Sequence, residues 1–315
     1  MNVLELDKAP FYHDVARAPE GGQCHWVHTA DGMRLRVAHW SKGDRGTVLM
    51  FPGRTEYVEK YGPAAGEFAR RGFAMIAVDW RGQGLTDRMI DDPQSGHVQH
   101  FSDYQKDVAA MLAAARRLDL PRPFYLVAHS MGGAIGLRAL YDGLPVNAVA
   151  FSAPMWGIVM APALRPLAWS LSWASRGLGF DQNFAPGTSG KSYVVDAPFD
   201  DNLLTSDREM WAFMQAQVAT YPTLGLGGPS LRWLYEALRD MLKLSRRPSP
   251  ALPVHTVLGS SEQIVDKGRI YMRMAEWPGG TLDLISGARH EVMMETPAIR
   301  ARFYDSATAL FTAHP

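Results

Sequence analysis

FYLVAHSMGGAIGLRAL, Phe124 to Leu140, joins an apolar, strand-like run to a helix-compatible one through a short turn of small residues. A serine on so sharp a strand-to-helix turn projects its hydroxyl above a parallel sheet. The turn needs small residues two places either side so that strand and helix can approach. Ala128 and Gly132 are those residues, and Ser130 between them is the candidate nucleophile. Ala128 departs from the usual G-x-S-x-G by one methyl, at a position that asks for smallness more than for a positive φ.

The surrounding pattern agrees with a sheet of this kind. Strand-like runs start at Met33, Thr47, Phe73, Phe124 and Val146, with helical segments between them over residues 58–71, 102–118 and 131–141. Such alternation predicts an α/β fold with a mostly parallel central sheet flanked by helices. Ser102 and Gln105 fit a capping box at the second helix. The rhythm stops after Ser152 for about ninety residues, then resumes with PVHTVLG from Pro253, a helical stretch to Trp277, TLDLI and a last helix from Pro297. The expected organisation is a core of residues 1–152 and 246–315, interrupted by a mainly helical cap over 153–245. The insertion carries Trp156, Trp169, Trp173, Trp211 and Trp233 with Phe180, Phe184 and Phe213. These can form a helical core of their own or an apolar underside facing the serine. KLSRRPSP, Lys243 to Pro250, reads as the linker back to the sheet.

Composition narrows the function. The 315 residues hold 32 basic and 32 acidic side chains, so no long-range field favours nucleic acid. The one cysteine, Cys24, makes no internal disulfide and suits a reducing compartment. No basic and then apolar leader is evident at the start, and the apolar stretch Val149 to Trp169 is broken by Pro154, Pro162, Pro166 and Arg165. A cytoplasmic location is therefore expected.

A serine hydroxyl attacks only when a histidine takes its proton and a carboxylate orients that histidine. His290, in SGARHEVMME after TLDLI, is placed to present its ring at a strand's carboxyl end. A zinc reading of His290-Glu291 fails because Met294 stands where HExxH needs its second histidine. The loop after VHTVLG offers two acids, Glu262 and Asp266. Glu262 is favoured as nearer the strand end, since Asp266 suits the N-cap of the next helix. An oxyanion hole takes the Met131 amide and one from the loop after TVLMF, where the amide of Arg54 is expected. Asp79 and Arg81 in DWRGQG read as pins for neighbouring loops.

PGRTEYVEKY, DWRGQG, GHVQHFSDY, AHSMGG, GSSEQIVD and GARHE together resemble the α/β-hydrolase superfamily, in its lysophospholipase and monoacylglycerol-lipase branch. The likeness runs over nearly the whole chain, more weakly in the cap. It implies a Ser130, Glu262, His290 triad, with glutamate where aspartate is commoner. The oxyanion segment reads Pro52-Gly53-Arg54-Thr55-Glu56 where His-Gly-x-Gly-Glu is usual, a form that looks more like bacterial lysophospholipases. The implied activity is hydrolysis of carboxylic esters of single-chain lipids through an acyl-enzyme, with no metal or organic cofactor. The alternatives are a general carboxylesterase or monoacylglycerol lipase and, in another class, a catalytically silent protein that binds a lipid or partner under its cap. The partner is then a lysolipid or small ester, with the apolar cap meeting the inner membrane surface peripherally.

Overall fold

The computed structural model describes residues 6–315. Eight strands form one sheet in the order β1-β2-β4-β3-β5-β6-β7-β8. They are β1 (Gln23–His28), β2 (Arg34–Trp40), β3 (Thr47–Phe51), β4 (Ala74–Asp79), β5 (Phe124–His129), β6 (Val149–Ser152), β7 (Val254–Gly259) and β8 (Thr281–Ile285). β2 runs antiparallel to β1 and to β4, and the pairings from β4 through β3 to β8 are parallel. The helices are α1 (His13–Ala16), α2 (Gly62–Arg70), α3 (Tyr104–Arg117), α4 (Met131–Tyr141), α5 (Leu164–Leu178), α6 (Tyr193–Asp196), α7 (Arg208–Thr220), α8 (Leu231–Ser245), α9 (Lys267–Ala275) and α10 (Pro297–Thr312).

Strands β3 to β6 are buried along their whole length, as parallel strands covered on both faces must be. Their side chains divide with the period of two that a pleated strand imposes. Leu49, Phe51, Ile76, Val78, Leu126, Val149 and Phe151 join one core with Met111 of α3, Ile135 of α4 and Ile270 of α9. Val48, Met50, Met75, Ala77, Tyr125, Val127 and Ala150 join the other with Phe68 of α2 and Phe303 and Phe311 of α10.

Three local expectations are corrected. The helix expected from Val58 begins as a 3-10 turn, Val58–Tyr61, and passes into α2. The Ser102–Gln105 capping box does not form. A 3-10 turn over Phe101–Asp103 precedes α3, and its entry is closed two residues earlier, by the Asp103 carboxylate accepting the His100 N–H at 3.2 Å. Lys243 to Ser245, expected in a linker, are the last turn of α8. The sequence reading also passed over β1, which alternates with histidines and so lacks an unbroken apolar run.

The residues between β6 and β7 hold α5 to α8. Their aromatics are divided rather than gathered under one lid. Trp156 packs on Phe151 and Trp277 of the sheet core, and Trp211 and Phe213 bury themselves with Met210, Met214 and Met294. Trp233 meets Phe101, whereas Trp173 points outward, 64% exposed. This segment is stitched into the sheet domain as well, because the amides of His290 and Glu291 donate to the carbonyls of Leu203 and Leu204 at 3.3 and 2.8 Å.

Candidate active site

Ser130 lies between β5 and α4 with φ 50° and ψ −118°, a left-handed backbone that a non-glycine residue adopts only when its surroundings hold it there. Its N–H donates to Ser152 O at 3.1 Å, while its carbonyl accepts from Gly133 and Met155 at 2.8 Å each. The clamp works because Gly132 sits against the end of the neighbouring strand β3. A Cβ on Gly132 would lie 2.1 Å from the Phe51 carbonyl oxygen and 2.6 Å from that of Pro52. Ala128 is wholly buried beneath this contact, so its methyl is accommodated within the core.

His290 and Glu262 come from the loops after β8 and β7. His290 Nδ1 lies 2.6 Å from Glu262 Oε2, with both side chains buried. The other carboxylate oxygen of Glu262 accepts the amides of Ile264 and Val265 at 2.6 and 3.0 Å. Burial raises the Glu262 pKa, but the His290 ring and these donors outweigh it, and the group is held below its ordinary value. Asp266 is engaged elsewhere. Its side chain accepts the Arg269 N–H at 3.3 Å as the N-cap of α9. Among the described residues no hydrogen bond joins the Ser130 hydroxyl to His290, a looseness common in catalytic pairs without substrate. The ring of His129, beside the serine, packs against His290 at a tilt of 54° with ring centroids 4.8 Å apart. Burial pushes His129 down to about 3, so its ring is neutral, with Nδ1 toward the Ser152 carbonyl at 3.0 Å.

The loop after β3 has a definite shape. The Gly53 N–H donates to the Glu56 carboxylate and the Thr55 N–H to Gln83 Oε1 at 3.0 Å. Among the described residues the Arg54 amide between them has no acceptor, nor has that of Met131, the first residue of α4. Thr55, where the resemblance implies a second glycine, adopts a left-handed backbone of the kind glycine favours, at φ 66°. Its hydroxyl donates to the Arg54 carbonyl at 2.6 Å and helps to hold the strained turn.

Gln83 is a residue that sequence reasoning missed. Its side-chain nitrogen donates to Gly53 O at 3.1 Å while its oxygen takes the Thr55 amide, so one carboxamide spans the loop. Its signal was DWRGQG, of which only Asp79 and Arg81 drew notice. Those two act as pins. Asp79 accepts from Arg36 Nε, Val58 N and Leu85 N at 2.7, 2.8 and 2.9 Å, and Arg81 pairs with Asp107 and Asp31 at 2.6 and 3.0 Å.

Glu56, Lys60 and Glu291 form a second overlooked group. The Lys60 ammonium lies 2.7 Å from Glu56 and 2.6 Å from Glu291, all three side chains being buried. One oxygen of each carboxylate and a His129 nitrogen lie within 4.8 Å of one another, as metal ligands would. The chain supplies its own cation there instead. Burial raises the carboxyl of Glu291, whereas for Glu56 the nearby ammonium outweighs burial and holds it at about 2. The group ties the loop after β3, through Glu56, to the residue that follows His290.

Residues 42–297 match the family described as Serine aminopeptidase, S33. The chain belongs to the Hydrolase_4 family. Lysophospholipase L2 of Escherichia coli strain K12 is 32% identical over 292 residues, covering 90% of this chain and 84% of that protein. Probable lysophospholipase L2 of Haemophilus influenzae is 29% identical over 304 residues, covering 93% and 95%. The soluble variant of the Saccharomyces cerevisiae monoglyceride lipase shares the fold with a TM-score of 0.71 at 20% identity, over 91% of this chain and 94% of that one. A carboxyl esterase from Bacillus coagulans does so at 0.73 and 16% identity, over 94% and 99%.

Removing the Lys60 charge tests the buried group. Lys60→Met leaves Glu56 and Glu291 without a counter-ion, and denaturant unfolding at pH 7 is expected to show a loss of about 3–5 kcal/mol. Without the ammonium both carboxyls titrate above the unfolded value of 4.5. The deficit is therefore absent while both states are protonated and grows as pH rises past that value.

Proposed function

We propose that this hydrolase cleaves the carboxylic ester of single-chain lipids, a lysophospholipid first and a monoacylglycerol second, with Ser130, His290 and Glu262 as its triad. The observation that carries the proposal is the buried 2.6 Å contact between His290 and Glu262 at the sheet end that presents a strained Ser130. Glu262 holds the Nδ1 proton, which leaves Nε2 to take the Ser130 proton as the hydroxyl attacks the acyl carbonyl. The unpaired amides of Arg54 and Met131 receive the oxyanion. His290 then protonates the departing glycerol oxygen, and a water activated in the same way releases the fatty acid.

Two curated relatives named as lysophospholipases, matched over most of their length, support the substrate class. A cavity of about 210 Å³ between α9 and the insertion, lined by Trp156, Ile158, Met160, Trp169 and Leu238 and also by Arg165, Asp266 and Arg269, supports room for an acyl chain. Trp156 is joined to the serine's turn, since its Nε1 donates to Gly133 O at 3.2 Å. In this reading residues 153–245 are the cap, integrated with the histidine loop through Leu203 and Leu204. A peptide substrate, as the family description would suggest, is disfavoured by those relatives. A short-ester carboxylesterase differs only in what the cap admits.

Fatty-acid release from lysophosphatidylcholine is expected from the wild type. It should vanish in Ser130→Ala and fall by about a hundredfold or more in kcat for Glu262→Gln. A fluorophosphonate probe should label the wild type and leave Ser130→Ala unlabelled. Labelling without lipid hydrolysis would point to short esters, and no labelling of folded protein would point to the silent binding protein.

The insertion also exposes Leu164, Leu167, Trp173 and Leu178 of α5, which supports contact with a lipid surface. Among the described residues no helix is long and apolar enough to cross a membrane. Sedimentation with phospholipid vesicles should be lost in a Leu167→Asp, Trp173→Asp double variant. Equal sedimentation of both proteins would remove the surface from the reading.

A further inference from the structure

The oxyanion loop contributes a side chain that the ester chemistry leaves unused. Only the amide of Arg54 is required at its place, yet its guanidinium reaches the glycine-rich turn of the insertion. There Nη1 donates to the Gly227 carbonyl at 3.0 Å. The guanidinium carbon lies 5.6 Å from the centre of the Trp233 ring, and a Cβ on Gly96 would come within 2.8 Å of Nη1. A guanidinium has five N–H donors, and this single hydrogen bond engages it. Among the described residues it has no carboxylate partner. Burial pushes it down to about 10, the opposite of Arg36 and Arg81, whose acidic partners raise them.

Beyond the guanidinium opens a cavity of about 350 Å³. Arg54, Thr55, Ser189, Lys191, Tyr193 and Asp196 are among its lining residues. Lys191 adds a second cation, which it shares with Asp196 at 3.3 Å on the exposed rim. We propose that this cavity is a phosphate-ester subsite in which Arg54 holds the phosphodiester of the substrate's head group. The proposal rests on the lysolipid reading above and deepens it.

Covalent reach supports the assignment. In a lysophospholipid the glycerol carries the phosphorus away from the ester carbonyl carbon by as many bonds as separate the Arg54 guanidinium carbon from its own amide nitrogen. An ester whose oxyanion sits on that amide has the covalent length for its phosphate to reach the far end of the same side chain. The planar donors of arginine then bind two phosphate oxygens at once. A quaternary or primary ammonium on the head group would extend toward Asp196 and the Tyr193 ring at the rim. A monoacylglycerol has nothing to place there, so Arg54 becomes the residue that separates the two substrates.

The test compares kcat/KM for lysophosphatidylcholine and for a monoacylglycerol of the same acyl chain in the same mixed micelles. Taking the ratio cancels any damage that Arg54→Met does to the oxyanion loop. The ratio is expected to fall by about tenfold or more in Arg54→Met, chiefly through KM, and by less in Arg54→Lys. In the wild type sn-glycero-3-phosphocholine should compete with hydrolysis of p-nitrophenyl butyrate, and inorganic phosphate should do so much more weakly. Equal losses on both lipids would make Arg54 a brace for its loop and overturn the subsite. Inhibition by inorganic phosphate as strong as by the phosphodiester, with an unchanged ratio, would make the cavity a free-anion site and overturn the head-group assignment. A wild type active on monoacylglycerol but inactive on lysophosphatidylcholine would refute the substrate reading itself, a result distinct from an unchanged ratio in an active enzyme.

Discussion

Gly132 can lie against the carbonyls of Phe51 and Pro52 only because it carries no side chain, and that approach brings the two halves of the site together. One half is the turn that forces Ser130 into a left-handed backbone. The other is the loop leaving β3, whose free amide at Arg54 follows two residues after Pro52. Any Cβ at residue 132 would meet backbone, which cannot rotate aside as a side chain would. The distance between the serine turn and the unpaired Arg54 amide is thus built from main chain on both sides, and in the proposed reaction preorganised donors of this kind need no reorganisation as charge develops.

Buried charge holds the loops that hang from this contact. Arg36 binds Asp79 and Glu59 with no exposure, and Asp79 in turn takes the amides of Val58 and Leu85. Lys60 bridges Glu56 to Glu291, and Gln83 clasps Gly53 and Thr55. Such groups give little net stability against well-packed apolar residues, but each is costly to break singly. Their effect here is geometric. The loop after β3, the end of β4 and the loop that carries His290 are made to depend on one another.

Much of this was legible in the sequence where one residue type serves one local purpose. AHSMGG announced its turn because smallness and a strand-helix junction are local properties. The buried parallel strands showed as apolar runs, and Glu262 and His290 were each found by position after a strand. What escaped was the set of contacts between distant segments. Nothing local in DWRGQG distinguishes Gln83, whose partners lie 28 and 30 residues away. Lys60 reads as an ordinary basic residue of a helix until Glu291 meets it. The tryptophans of the insertion left two readings open for the related reason that their number shows burial without saying against what, and Trp211 and Phe213 form the small core of their own that one reading expects. Thr55 is the converse case, in which a β-branched residue stands at a left-handed position that its residue type does not announce.

The central claim is that Ser130 attacks an acyl carbonyl whose oxygen moves onto the Arg54 and Met131 amides. An experimental structure of the protein reacted with an alkyl phosphonate, whose tetrahedral phosphorus stands in for the acyl carbon during attack, tests it most directly. The expected result is phosphorus bonded to Ser130 Oγ with the phosphonyl oxygen in hydrogen-bond contact with both amides. An adduct on another residue, or an oxygen turned away from both amides, would contradict it.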